Sequence, residues 1–137
     1  MDLGSRRIGI AVSNSEGTVA VPYDVIQRTN DRKRDRAAII EAANEAGAEM
    51  IVIGMPYSLD GTMGPTARKM SAEIEEIRRM SPVEVAVQDE RFTTVTAERS
   101  MRAMNIRSSE RRKTVDAVAA SVLLQAWLDS GAGRNND

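Results

Sequence analysis

From Arg7 to Ser13 the apolar residues Ile8, Ile10 and Val12 alternate with the small residues Gly9, Ala11 and Ser13. A period of two with unlike faces predicts a strand. Asn14-Ser15-Glu16-Gly17 predicts a hairpin turn, with glycine available for positive φ. Thr18 to Gln27 then reads as a second strand, with Val19, Val21, Tyr23 and Val25 on one face. Pro22 has no N–H for a ladder, which places this strand at an edge or on a bulge. The period changes next. Asp31 to Gly47 predicts a helix with the stripe Ile39, Ala42, Ala43 and Ala46, ended by Gly47 as a C-cap. The mixed charges from Asp31 to Arg36 suggest a solvated first turn.

Met50-Ile51-Val52-Ile53 is a continuous apolar run that stops at Gly54. Such a run predicts a strand buried on both faces, parallel and central. The loop Gly54 to Pro65 follows, at the edge of an open α/β sheet where ligands bind, and Pro65 suits the first turn of a helix. That helix spans about Thr66 to Met80, with Ala67, Met70, Ile74 and Ile77 toward the sheet. Val83 to Gln88 predicts another strand, ending in Asp89-Glu90-Arg91-Phe92-Thr93-Thr94. Thr93 or Thr94 caps a helix carrying Ala97, Met101 and Met104, and Asn105 to Thr114 reads as a basic linker. The last helix is the clearest signal: Val115, Val118, Ala119, Val122, Leu123, Ala126 and Trp127 form an unbroken apolar stripe. Beside it, Ala117, Ala120 and Ser121 are small enough for the helix to lie close. The order of elements predicts one α/β domain over residues 1–129, followed by a disordered tail at 130–137.

Composition narrows the chemistry more than it narrows the fold. The 137 residues include no cysteine and no histidine. Thiolate nucleophiles, disulfides, cysteine zinc sites and imidazole bases are thereby excluded. Carboxylates, Lys, Arg and hydroxyls remain, and carboxylate oxygens suit the hard cations Mg²⁺ or Mn²⁺. No apolar stretch approaches the roughly 18 residues of a membrane span, and no secretory signal is legible, so a cytoplasmic protein without membrane contact is expected. The net charge of −1 does not point to nucleic acid, but its distribution does. Arg99, Arg102, Arg107, Arg111, Arg112 and Lys113 stand against the single Glu110, and a local basic patch attracts an anionic polymer whatever the total charge. With aromatics at 3%, a base-stacking platform for single strands is not expected; recognition through backbone and shape is.

Acidic residues stand at three positions that a folded sheet can bring to one rim: Asp2 beside the first strand, Glu90 (with Asp89 next to it) after a later strand, and Asp116 in the first turn of the last helix. Each alone is ordinary turn or cap chemistry. Gathered, they would repel one another unless a cation sat between them, so convergence would mean a metal site.

Four blocks carry a family resemblance. Asp-Leu-Gly-Ser-Arg-Arg-Ile-Gly-Ile-Ala-Val-Ser from Asp2, Ile-Gly-Met-Pro-Tyr-Ser-Leu-Asp-Gly-Thr-Met-Gly from Ile53, Asp-Glu-Arg-Phe-Thr-Thr-Val-Thr-Ala-Glu from Asp89 and Val-Asp-Ala-Val-Ala-Ala-Ser-Val-Leu-Leu-Gln from Val115 resemble, in order, the signature blocks of the YqgF family, also called RuvX. Its bacterial members are described as Holliday junction resolvases and as nucleases that mature the end of small-subunit ribosomal RNA. The resemblance implies an RNase H-like fold, with a mixed central sheet and helices on both faces. It also implies a divalent-metal site on Asp2, Glu90 and Asp116, with Asp89 the alternative to Glu90. Arg6, Arg7, Arg91, Arg107, Arg111, Arg112 and Lys113 would then hold phosphates of structured rRNA precursor or branched DNA. A monomer or weak homodimer is expected.

One departure stands out. Family members carry several largely apolar residues ahead of this Asp, forming the first half of the central strand, whereas here Asp2 directly follows Met1. That implies a start assigned late or a shortened chain, with a ligand at a fraying strand end beside an α-amino group. Two other classes compete with a nuclease. A non-catalytic RNA-binding assembly factor would keep the basic surface without using the acidic cluster. A nucleotide-binding module would use Asp2 and Gly4 as a phosphate hairpin, but needs a second domain for which 137 residues leave no room.

Overall fold

Alternation builds the first sheet. In a computed structural model, which describes residues 1–92 and 109–131, β1 (Asp2–Leu3), β2 (Arg7–Ser13) and β3 (Ala20–Gln27) form an antiparallel sheet in the order β1-β2-β3. Its register slips between Ile10 and Ala11, so that Ala11 faces Pro22. The missing proline N–H is thus accommodated at an irregularity of an outer strand. The continuous apolar runs build the second sheet: β4 (Met50–Met55) lies parallel to β5 (Glu84–Asp89). Strand β4 continues through Gly54 instead of stopping there.

Met1 joins the two sheets. Its ammonium donates to the Val52 carbonyl at 2.5 Å and its carbonyl accepts from Gly54 N–H at 3.2 Å, which is parallel pairing of the chain start with β4 and gives the run β3-β2-β1-β4-β5. Ile10 and Val12 of β2 and Ile51 and Val52 of β4 line a cavity of about 840 Å³, together with Met1 and Trp127.

Three helices are seen among the described residues: α1 (Arg32–Glu45), α2 (Pro65–Met80) and α3 (Ser109–Asp129). Asp31 caps α1 by accepting from Lys33 and Arg34 N–H, and Gly47 follows its end at φ 66°. Pro65 starts α2. On one face of the sheets Ile39, Ala43, Ala67, Ile74 and Ile77 of α1 and α2 pack with Leu3, Ile8, Ile10, Ile51, Ile53 and Val85. Helix α3 covers the other face, with Ala119 and Leu123 at its centre. It reaches six residues further back than Val115, so the backbone from Ser109 to Thr114 is helical where a linker was expected. Its most buried side combines Ala119 and Leu123 of the expected stripe with the small neighbour Ala120, Ala120 and Leu123 being at 0% and 1% exposure.

The first turn of α1 also differs from expectation. Asp35 is buried rather than solvated, accepting from Thr29 N–H at 2.9 Å and Thr29 Oγ1 at 2.7 Å. Burial pushes its carboxyl up, but the Thr29 hydrogen bonds and the charges of Arg28 and Arg32 prevail and hold it below the usual range. Arg28 is the hub. Its guanidinium donates twice to Glu73 of α2 at 2.8 Å and once to the Gly4 carbonyl at 2.7 Å. A buried cation with three filled donors ties α2 to the turn that follows Asp2.

Candidate functional site

Asp2 pairs with Gly9 in the β1–β2 ladder, and paired residues share a face. That face is the one α3 covers. A Cβ placed on Gly9 would sit 2.1 Å from the Asp116 carbonyl oxygen, so α3 rests directly on β2 at Asp116, its eighth residue and not the first turn expected, only because residue 9 has no side chain. On the other flank of β1, Gly54 donates to Met1. A Cβ there would stand 2.8 Å from Glu90 Oε1 and 2.8 Å from Leu123 Cδ1. Two glycines therefore flank Asp2, one admitting the backbone of Asp116 and the other the carboxylate of Glu90. Glycine inside a strand marks such close approach. All three acidic positions named from the sequence are brought to the neighbourhood of β1.

Their side chains differ in state. Asp2 and Asp116 are buried, at 4% and 9% exposure. Arg7, two residues before Gly9 on the same face of β2, donates from Nε to Asp116 Oδ2 at 2.5 Å. Among the described residues no three carboxylates close to the separation of a ready-made cation cage. The Met1 ammonium is buried beside Asp2; burial pushes it down to about 6 while the Asp2 charge opposes the change. The donors are all carboxylate oxygens, and buried ones favour a bound cation. The chemistry of this donor set suits a hard divalent ion, and Asp116 is the member bonded to an arginine.

Asp89, the alternative to Glu90, is engaged by its neighbour. Arg91 donates from Nε at 2.9 Å and from Nη2 at 2.7 Å to Asp89 Oδ2. The Arg91 side-chain bond, outweighing burial, holds the Asp89 carboxyl below the usual range. Arg91 also lies over the Tyr57 ring, 5.8 Å from its centroid, and beside Gly61, whose φ is 88°. The loop after β4 and the turn after β5 thus meet at Arg91. Within that loop Asp60 accepts from Thr62 Oγ1 and N–H, which hold its carboxyl low.

Of the basic residues expected to hold phosphate, Arg6 is exposed, Arg7 is paired with Asp116 and Arg91 with Asp89. Arg107 and the helix expected around Ala97 to Met104 lie outside the described residues, as do the side chains of Arg111, Arg112 and Lys113. Sequence reasoning missed the Arg28–Glu73 brace, which left no local signal. It also missed the role of Gly9 and Gly54, although a glycine within each strand was visible.

A model of the family described as "RuvX: Holliday junction resolvase" matches residues 1–130. A relative from Desulforudis audaxviator (strain MP104C), named "Putative pre-16S rRNA nuclease", is 37% identical over 98% of this chain and 96% of its own length. One of the same name from Mycobacterium sp. (strain KMS) is 37% identical over 94% of this chain and 77% of its own. Among solved structures, T. thermophilus RuvC in complex with a Holliday junction substrate superposes with a TM-score of 0.58 over 96% of this chain and 92% of that one, at 15% identity. That likeness shows the fold: it is the RNase H-like α/β fold expected from the sequence.

Proposed function

The chain belongs to the RuvX family, and from that premise we propose that it is a divalent-metal-dependent endonuclease that hydrolyses phosphodiester bonds in the 5′-end processing of pre-16S rRNA. Branched DNA such as a four-way junction is the alternative substrate. The observation that carries this reading is the pair of glycines flanking Asp2, against which Asp116 and Glu90 pack.

Asp2, Glu90 and Asp116 would hold Mg²⁺ or Mn²⁺. Bound there, such ions supply an activated water and charge stabilisation at the leaving oxygen. The chain itself supplies the rest. Asp2 sits on the central strand between both sheets, which fixes it against rigid backbone. Gly9 and Gly54 set how near the other two acids come. The Arg28 brace holds the turn after Asp2. Arg6, Arg7, Arg91, Arg107, Arg111, Arg112 and Lys113 would neutralise backbone phosphates, making binding fall steeply with salt. No described helix is long and apolar enough to cross a membrane, and rRNA processing would place the protein in the cytoplasm as a monomer or weak homodimer.

The Arg7–Asp116 pair also suits a non-catalytic RNA-binding factor. Cleavage of precursor rRNA and of a four-way junction with Mg²⁺ or Mn²⁺, by wild type and by Asp116→Asn, separates the two. Loss of cleavage in the variant supports the nuclease; equal activity removes that role from Asp116.

A further inference from the structure

The nuclease reading leaves one contact unexplained: a residue expected to hold substrate is bonded to a residue expected to hold metal. Arg7 and Gly9 are two apart on β2 and face α3 together. Gly9 fixes the height of the Asp116 backbone, and Arg7 meets its carboxylate at 2.5 Å, with side-chain exposures of 22% and 12%. Resting on that nuclease reading, we propose that Arg7 is a latch on Asp116. The guanidinium holds the carboxylate while no cation is present, gives it up when a divalent cation binds, and is thereby freed for a backbone phosphate of the substrate.

Charge supports the exchange. Asp2, Glu90 and Asp116 bring three negative charges to one strand end, and without a cation a neighbouring guanidinium is the compensation the fold provides. A divalent ion removes the need for it. A planar guanidinium then released from a carboxylate is suited to the paired oxygens of a phosphate. It also starts from the same place, because Arg7 reaches the site from the strand that pairs with Asp2. The pairing also occupies one oxygen of Asp116 with a guanidinium, and among the described residues no three carboxylates form a ready-made cation cage. Cation and phosphate binding are therefore coupled through one side chain, and each strengthens the other.

The test is Mn²⁺ binding to the full chain, followed by electron paramagnetic resonance without nucleic acid, so that cleavage is not the readout. Arg7→Ala and Arg7→Gln, the latter keeping part of the stem and a donor, are compared with wild type after circular dichroism confirms folding. Both variants should bind Mn²⁺ more tightly, by about tenfold, within the usual range of such couplings. The gain should vanish when Asp116→Asn is added. Equal or weaker binding in both variants, with wild-type binding still dependent on Asp116, overturns the latch and leaves the nuclease standing. Absence of any Asp116-dependent Mn²⁺ binding overturns both.

Discussion

Asp2 and Gly9 lie opposite one another in the β1–β2 ladder, and the missing Cβ of Gly9 is where the Asp116 carbonyl oxygen rests. A strand carboxylate and a helix carboxylate are thus brought together through a residue that contributes no chemistry. Gly9→Ala should destabilise strongly, by roughly 3 kcal/mol or more, since overpacking against backbone cannot relax by rotamer change. Gly17→Ala, at φ 68° with nothing within 4 Å, should cost only about 1 kcal/mol from backbone strain. Urea denaturation of the two variants checks this; similar losses would mean α3 can lift away from β2.

Gly54 makes the complementary prediction. Here the near atoms are side-chain ends, Glu90 Oε1 and Leu123 Cδ1, each 2.8 Å from a Cβ. Gly54→Ala should fold, with a loss of about 1–2 kcal/mol. Its cleavage rate should fall at least tenfold because Glu90 is displaced. Kinetics alongside thermal melting separate the effects, and full activity in a folded variant would remove Glu90 from the site.

The Arg28 brace carries a pH signature. Burial pushes the Glu73 carboxyl up, but the Arg28 hydrogen bonds and charge, with Arg32 and Arg36, prevail and hold it below its ordinary 4.5; Asp35 is likewise held below 3.8. A carboxylate whose folded pKa is depressed stabilises fully above its unfolded value, and that contribution is lost as pH falls through the folded one. Arg28→Met should cost about 2 kcal/mol at pH 7, since it removes a cation from the buried Asp35 and the half-buried Glu73, with solvent screening the latter. The gap to wild type should narrow below pH 4.5. Urea midpoints at pH 7 and pH 3.5 check the sign.

The cavity between β2 and β4 predicts a gain. Four or five alternating apolar residues added ahead of Met1 would continue β1 between Ile10 and Ile51, and would replace a buried ammonium with an amide. The melting temperature should rise by roughly 5 °C. An unchanged melt would mean the added residues do not enter.

Much of this architecture was legible because it is periodic. The alternation in β2, the continuous run of β4 and the cap of α1 are local patterns, and the structure keeps them. The acids were named from strand ends and an expected helix start, but Asp116 is the eighth residue of α3 because the helix begins at Ser109. What could not be read is carried by contacts distant in sequence: Arg28 meets Glu73 across 45 residues and Arg7 meets Asp116 across 109. Asp35 looked solvated because its neighbours are charged, and only the fold folds Thr29 and Arg28 over it. The face of α3 was legible in part, since Val115, Ala119 and Leu123 of the expected stripe are buried. The close approach at Gly9 admits the backbone of Asp116, and that at Gly54 admits Leu123 of the stripe itself.

The most direct test is an anomalous difference map from crystals grown with Mn²⁺. A peak about 2.1 Å from carboxylate oxygens of Asp2, Glu90 and Asp116, with Arg7 no longer bonded to Asp116, is the result expected. A peak elsewhere, or none while Arg7 still grips Asp116, would contradict the site.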